Sequence, residues 1–502
     1  MASSHEPVTT GRRGLLLIGC GFGLVFLVGL MGPSAVAVTL PQRAAWHPPF
    51  WIDLQPSPWV VIGLVLTALV CGAIGVHLGL RALAAGWLPN LRRLVGVAIG
   101  GVTAIALVPP MGSGDILMYA AYGRISALGH SPYVTAPVDI SRLVHDPVTS
   151  SVELPWQGTT TVYGPVATWL QEAASRISGG STHTTVMWLQ LTNALAYVVV
   201  GLLVLVLAGR DPRARARAVL LLVANPVLVW AVVAGGHNDA QAVVFAVAAL
   251  VVAKRSPLAA GVLLGLGGAV KLNVALFGLA LLWGMRRSKR NIGELCAGAV
   301  LALVGTYGLV GPHAFDQVRA ASGFISSGSQ WQLILEPLHD LIPGVLARTL
   351  IVAAALISMV LVAILLARAF PPPVRPSVLE PHDPRPEAVR AAAVLCIAWL
   401  VTAPYVLPWY ALAAWVPLAL LAPSAVDRWL LAWTAIVAAA YVAGRVVKLP
   451  PSLQLLKVET IQDVMPVVLT VLAALLIRMC WKSRLRFRSP PLPQDPVLVG
   501  RE

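Results

Sequence analysis

Apolar stretches long enough to cross a bilayer recur through the whole chain, and they constrain its fold more than any other feature. They lie near 14–38, 58–82, 93–110, 186–208, 215–232, 239–253, 292–313, 346–369, 387–406, 409–423, 428–446 and 462–481. A helix of roughly 20 apolar residues spans the hydrocarbon core at about 1.5 Å per residue. Charged residues make up only 11% of the chain, against about a quarter in soluble globular proteins. The expected fold class is therefore an all-α polytopic membrane protein. A soluble enzyme, a nucleic-acid-binding domain and a disordered chain are all excluded.

The run 257–285 poses a topological problem. Lys254 and Arg255 precede it, and Arg286, Arg287, Lys289 and Arg290 follow it. Both flanks should then be cytoplasmic, which a single crossing cannot satisfy. A break near Lys271 into two short helices resolves the conflict, and it places Lys271 at the buried tip of a hairpin. With that hairpin the chain has about 13–14 membrane segments and both termini inside. Cytoplasmic segments then hold 26 of the 36 Lys and Arg residues, so the net charge of +15 reports orientation in the membrane and implies no nucleic-acid partner. Arg12 and Arg13 ahead of the first run suggest an uncleaved signal anchor. The five cysteines sit in or beside apolar runs with no CxxC pair, which speaks against disulfides or thiolate metal sites.

This topology divides the chain into a two-span segment (1–92), a membrane core (93–369) with a large first outer loop (111–185), a cytoplasmic Pro-rich linker (370–386), further spans (387–488) and a cytoplasmic tail (489–502). The outer loop concentrates candidate chemistry. Gly112-Ser113-Gly114 ends one helix and Asp115 can begin another, with Tyr119 and Tyr122 on its face at +4 and +7. Ile116, Leu117, Ala120 and Ile125 on the other side suit a helix lying along the membrane surface. Asp115 could be an N-cap, a general base toward a hydroxyl, or both. The tyrosines could equally belong to an interfacial aromatic belt.

Downstream, Ser131-Pro132-Tyr133 closes that helix, and Tyr163-Gly164-Pro165 turns into the next, with Pro near its first position. His237-Asn238-Asp239 sits at the outer mouth between two spans, where three readings stay open: a divalent metal site, an N-cap for the next helix, or a polar cavity wall. Lys271 could snorkel or hold a phosphate. Pro408-Trp409-Tyr410 marks an outer turn between two late spans.

In order and in side of the membrane, Asp115, Tyr119, Gly129-His130-Ser131-Pro132-Tyr133, Tyr163-Gly164-Pro165, His237-Asn238-Asp239-Ala240, Lys271 and Pro408-Trp409-Tyr410 resemble the glycosyltransferase C superfamily. Within it the likeness is to actinobacterial polyprenol-phosphate-mannose-dependent α-1,6-mannosyltransferases, over roughly residues 90–420. The resemblance implies a bacterial plasma-membrane transferase with its active site facing outside. It would move mannose, with inversion, from polyprenyl-phosphate mannose to a mannan or lipoglycan acceptor. It also implies Asp115 as general base, Lys271 with Arg124 and Arg319 as ligands of the departing phosphate, and Tyr119, Tyr122, Tyr133, Tyr163, His237, Asn238, Asp239 and Trp409 around the substrates. No cofactor is required by it, although a divalent metal ion is compatible. In this chain a two-span segment precedes the span that leads into the large loop, whereas many superfamily members place that loop after the first span. The rival readings are another sugar or a protein acceptor, and a lipid-linked sugar flippase, which would also have broken helices and intramembrane charges.

Overall fold

The computed structural model describes residues 5–41, 47–371 and 383–482. Among these residues the chain is helical and has no strand; its extended pairing is an isolated antiparallel bridge between Ala37 and Met111. Six helices are long and apolar enough to cross a membrane: Glu6–Met31, Pro58–Ala84, Thr182–Leu207, Lys289–Val310, Gly344–Ala369 and Pro451–Trp481. A seventh crossing can be assembled from Pro212–Leu221 and Pro226–Ala234, which meet at 43°. The protein is a multi-pass, all-helical membrane protein.

The surface agrees with immersion in lipid. Val300, Leu301, Val304 and Leu309 of one long helix, and Leu356, Ile357, Val360 and Leu361 of another, are all more than half exposed. In water such stripes would aggregate. Because lipid removes the hydrophobic drive between helices, close packing of small residues must hold them together. Pro257–Gly268 and Lys289–Val310 do this through Gly261 and Gly265 against Gly298 and Ala302, and a methyl group at Gly261 would collide with the Leu295 carbonyl.

Fewer full-length crossings exist than the 13–14 segments expected, because several apolar runs are broken. The first helix stops at Met31 rather than near 38; residues 34–37 instead make a turn, and Val36–Val38 pair with Pro110–Gly112. Asn225 caps a new helical turn at Val227 and Leu228 and, with Pro226, splits the expected 215–232 span. The run 257–285 breaks where expected, into Pro257–Gly268 and Ala275–Gly284 with Lys271 between them. Asp239–Val252 is another short helix. The linker expected at 370–386 falls mostly outside the described residues, and the tail at 489–502 wholly outside them.

Asp115–Ala127 forms a helix, as expected, and its apolar side packs on protein. Both its apolar side (Ile116, Ala120, Ile125) and its aromatic side (Tyr119, Tyr122) are buried in protein. The helix Pro165–Ile177 covers it so closely that any side chain at Gly123 would strike the Gln171 carbonyl.

Elsewhere in the bundle Arg217 and Asp427, both almost wholly buried, form an ion pair at 2.6 Å. The same guanidinium donates to the Leu418 and Ala419 carbonyls at 3.0 Å, answering the exposed end of Ala411–Leu420. Removing one member strands the other charge in an apolar interior. Asp427→Ala is expected to destabilise the protein by roughly 3–5 kcal/mol, while the paired replacement Arg217→Met with Asp427→Leu costs far less. Thermal unfolding of both variants in detergent measures the contrast.

Candidate active site

The site forms where three interruptions of helical structure meet. The first is Gly112-Ser113-Gly114, which leads into the helix Asp115–Ala127. The second is the loop Gly235–Asn238 between the π turn Trp230–Ala234 and the helix Asp239–Val252. The third is the break around Lys271. Backbone hydrogen bonds join them: Met111 N–H donates to the Ala234 carbonyl at 2.7 Å. The Tyr163-Gly164-Pro165 turn docks on the third interruption, with Gly164 and Val166 donating to the Val270 and Ala269 carbonyls at 3.2 and 2.9 Å. Glycine is required at 164, since an added Cβ would run into the Ala269 carbonyl.

Asp115 and Asp239 each occupy the first position of their helices, and neither is an N-cap. Gly114 and Asn238 hold the cap positions, without side-chain capping bonds. An acid in a first turn is favoured by the helix dipole, and both carboxylates are left to make tertiary contacts. Asp239, 1% exposed at its side chain, binds the Lys271 ammonium at 2.8 Å. That ammonium lies 4.6 Å from the Tyr410 ring centroid and 5.9 Å from that of Tyr163. Asp115 is the open carboxylate, with 26% of its side chain exposed. Its Oδ2 stands 3.5 Å from His237 Nδ1, an ion-pair distance at which no well-aligned hydrogen bond is formed. The His237 ring stacks on Trp409 with centroids 3.5 Å apart.

Electrostatics separate the acids from the phenols. Burial alone would push the Asp115 carboxyl up, but His237, the Ser113 hydroxyl and the Lys271 charge outweigh it and hold the group below the usual carboxylate range. Tyr119 and Tyr163 go the other way: burial, aided at both by the Asp115 charge, drives their hydroxyls well above an ordinary phenol. They are therefore neutral. Their rings meet edge to face at 5.1 Å, and the Tyr163 hydroxyl donates to that of Tyr119 at 3.4 Å.

Of the expected residues, the structure brings together Asp115, Tyr119, Tyr163, His237, Asp239, Lys271 and Trp409. Asn238 adjoins them with both amide atoms buried and unpartnered among the described groups. Four expected residues are committed elsewhere. Arg124 is neutralised by Asp146 at 2.6 Å. Arg319 sits on the short helix Asp316–Ala321, with 78% of its side chain exposed and Asp316 its nearest acid at 4.0 Å. The Tyr122 hydroxyl donates to the Thr159 carbonyl at 3.0 Å, and the Tyr133 hydroxyl is shared with Thr168 at 3.2 Å. Both tyrosines are fastened into the wall, each 4% exposed or less. No group of three or more His, Cys, Asp or Glu side chains gathers among the described residues. His237 and Asp239 thus find no third metal ligand there, and Asp239 is engaged by Lys271. Sequence reasoning passed over Ser113 and Tyr410 as site residues. Tyr410 was signalled by its place beside Trp409, whereas Ser113 carried no separate signal.

Fold and site together define the class: a multi-pass membrane protein with an enclosed carboxylate–imidazole group beside a carboxylate–ammonium pair. Residues 18–287, more than half of the chain, match the family described as alpha-(1->6)-mannopyranosyltransferase, N-terminal domain, and the chain belongs to that family. Among curated relatives, alpha-(1->6)-mannopyranosyltransferase B of Corynebacterium glutamicum is 27% identical over 290 residues, covering 56% of this chain and 45% of its own. A Mycolicibacterium smegmatis protein named probable alpha-(1->6)-mannopyranosyltransferase is 29% identical over 231 residues, or 45% and 40% of the two chains. A third, from Mycobacterium tuberculosis, is 32% identical over 136 residues, or 27% and 23%. The matched part of the chain spans less than half the length of each of these relatives. No solved structure matches it.

The Lys271–Asp239 pair yields a stability prediction. Lys271→Met strands a buried carboxylate and is expected to cost roughly 3–5 kcal/mol. Adding Asp239→Asn to the same chain removes that charge and should recover most of the loss. Unfolding of the two single variants and the double variant forms a thermodynamic cycle that measures this coupling.

Proposed function

We propose that this protein is a membrane glycosyltransferase that moves mannose from polyprenyl-phosphate mannose to a mannan or lipoglycan acceptor, forming an α-1,6 linkage. The observation that carries the reading is an open, ionised carboxylate, Asp115, that feels the charge of an ammonium held at a helix break, Lys271, within a membrane protein of this family. The relatives' names supply the sugar and the linkage. The lipid donor and the outer-leaflet orientation come from the sequence resemblance and from the distribution of basic residues. On this reading the termini are cytoplasmic and the site faces outside the bacterial plasma membrane.

The reaction balances as a single inverting displacement. An acceptor hydroxyl oxygen attacks the anomeric carbon while the bond from that carbon to the phosphate oxygen breaks. The bonding pair leaves with the polyprenyl phosphate, and the hydroxyl proton passes to the Asp115 carboxylate. A carboxylate held below its usual range is always ionised at neutral pH. It takes the proton late, once the new bond has made the hydroxyl acidic. Lys271 faces the phosphate as its charge grows, and an ammonium preorganised there stabilises the transition state. The neutral Tyr119 and Tyr163 hydroxyls can donate to sugar oxygens without adding negative charge.

Asp115→Asn is expected to lower kcat by about 10²–10⁴-fold, with donor affinity retained within a few-fold. The assay uses protein reconstituted in vesicles with radiolabelled polyprenyl-phosphate mannose and a short oligomannoside. Full transfer by Asp115→Ala would overturn the assignment of the base. Label that crosses the bilayer without a new glycosidic bond would replace the enzyme by a flippase. The pH profile provides a second check. A base with a lowered pKa is active at neutral pH and loses activity as pH falls through that pKa. His237→Phe preserves stacking on Trp409 but removes the main influence that lowers Asp115, so the acidic limb of kcat should move to higher pH.

A further inference from the structure

The strongest polar arrangement outside the described site is built on Arg445. This residue lies in a non-helical segment beyond Ala425–Ala440, and its side chain is 4% exposed. Its Nε and Nη2 donate to Glu153 Oε1 at 2.9 and 2.6 Å, while Nη1 donates to the Ser34 carbonyl at 2.8 Å and to that of Ala37. Val446 N–H donates to the other Glu153 oxygen at 3.3 Å, and Lys457 Nζ donates to the Arg445 carbonyl at 3.0 Å. One guanidinium thus fastens residues 34–37, the outer-loop acid and the chain around 446 to one another.

Its partners lead directly to the reacting groups. Residues 36–38 are hydrogen-bonded to 110–112: Val38 N–H donates to the Pro110 carbonyl at 2.8 Å, and Gly112 N–H to that of Val36 at 2.9 Å. Between those two bonds, Met111 N–H holds the Ala234 carbonyl, three residues before His237. The Glu153 carboxylate packs so tightly on Gly114 that an added Cβ there would lie 2.7 Å from Oε2. Asp115 N–H closes the chain by donating to Ser113 Oγ at 3.1 Å. The segment that launches Asp115 is therefore gripped on one side by residues 36–38 and on the other by Glu153, and Arg445 holds both.

We infer that the Glu153–Arg445 pair is a positioning device for catalysis, setting the place of Asp115 relative to His237 and Lys271 without touching substrate. The inference rests on the reading of Asp115 as the base. An ion pair that contributed only to stability could sit anywhere in the bundle, as Arg217–Asp427 does. This one spans 292 residues of sequence and ends on the backbone on either side of Ser113. It also brings the C-terminal part of the chain into the geometry of a site whose acids and ammonium lie before residue 287.

The test uses full-length protein with Glu153→Gln, which keeps the shape and removes the charge, and Arg445→Lys, which keeps the charge and removes the fork. Asp427→Asn serves as a buried-pair control. A displacement of order 1 Å at a reacting group can cost about 100-fold in rate, so kcat should fall about 10–100-fold in both variants while donor KM stays within about threefold. The acidic limb of kcat should move to higher pH, because Asp115 loses its alignment with His237, Ser113 and Lys271. The control should lower the unfolding temperature without moving that limb. Hydrogen exchange at the Met111 and Gly112 amides supplies a readout independent of the reaction, and protection there should fall in Glu153→Gln and Arg445→Lys alone. Unchanged kcat, or a lower kcat with an unmoved limb and unchanged amide protection, would overturn the inference. Absence of mannosyl transfer in the wild type, with amide protection still dependent on Glu153, would instead remove the proposed reaction and leave the mechanical link standing.

Discussion

A charge inside an apolar bundle persists only when an opposite charge is held against it, and the Lys271–Asp239 pair imposes that condition on the site. The pair requires the start of Asp239–Val252 and the break after Pro257–Gly268 to meet at one point, so two short helices stand where continuous crossings would otherwise run. The broken backbone then exposes the Ala269 and Val270 carbonyls, and the Tyr163-Gly164-Pro165 turn satisfies them. Tyr163 and Tyr410 arrive beside the ammonium as a consequence. An ion pair buried in the helix bundle thus ties the helix interruptions to the aromatic walls around them.

The same constraint assigns different tasks to two acids with similar local sequence settings. Asp115 and Asp239 each open a helix after a Gly or Asn cap. Asp239 is sealed and spends its charge on Lys271; Asp115 is a quarter exposed and stands at ion-pair distance from an imidazole. Only the second is open to an incoming group. Lys271, 15% exposed, keeps one side free while Asp239 anchors the other. An incoming phosphate would meet an ammonium already desolvated and oriented, which is the preorganisation that gives electrostatic catalysis its strength.

Local features were legible in the sequence, and long-range partners were not. The helix start at Asp115, Pro165 at a first helical position and the break at Lys271 each follow from a few adjacent residues or from flanking charge. Partner choice does not. Arg124, Arg319, Tyr122 and Tyr133 have the residue types a sugar-phosphate site uses, yet Asp146, solvent, the Thr159 carbonyl and Thr168 claim them. What the apolar side of Asp115–Ala127 packs on was illegible for a related reason. Its apolar side matches a lipid interface and a protein interior equally well, and tertiary packing decided for the interior. Arg445 did leave a trace, as the first of three cations, with Lys448 and Lys457, at the expected outer end of a span, where the positive-inside pattern gives no reason for them. Its partner 292 residues away left none.

Contacts to His237 tie the chain beyond residue 287 to the candidate site. Trp409 stacks on the imidazole and fixes its plane, so Nδ1 can face only a limited arc, and Asp115 lies in that arc. The ring that faces Asp115 is thus oriented by a stack contributed from Pro408–Tyr410, outside residues 18–287, the stretch matched to the family.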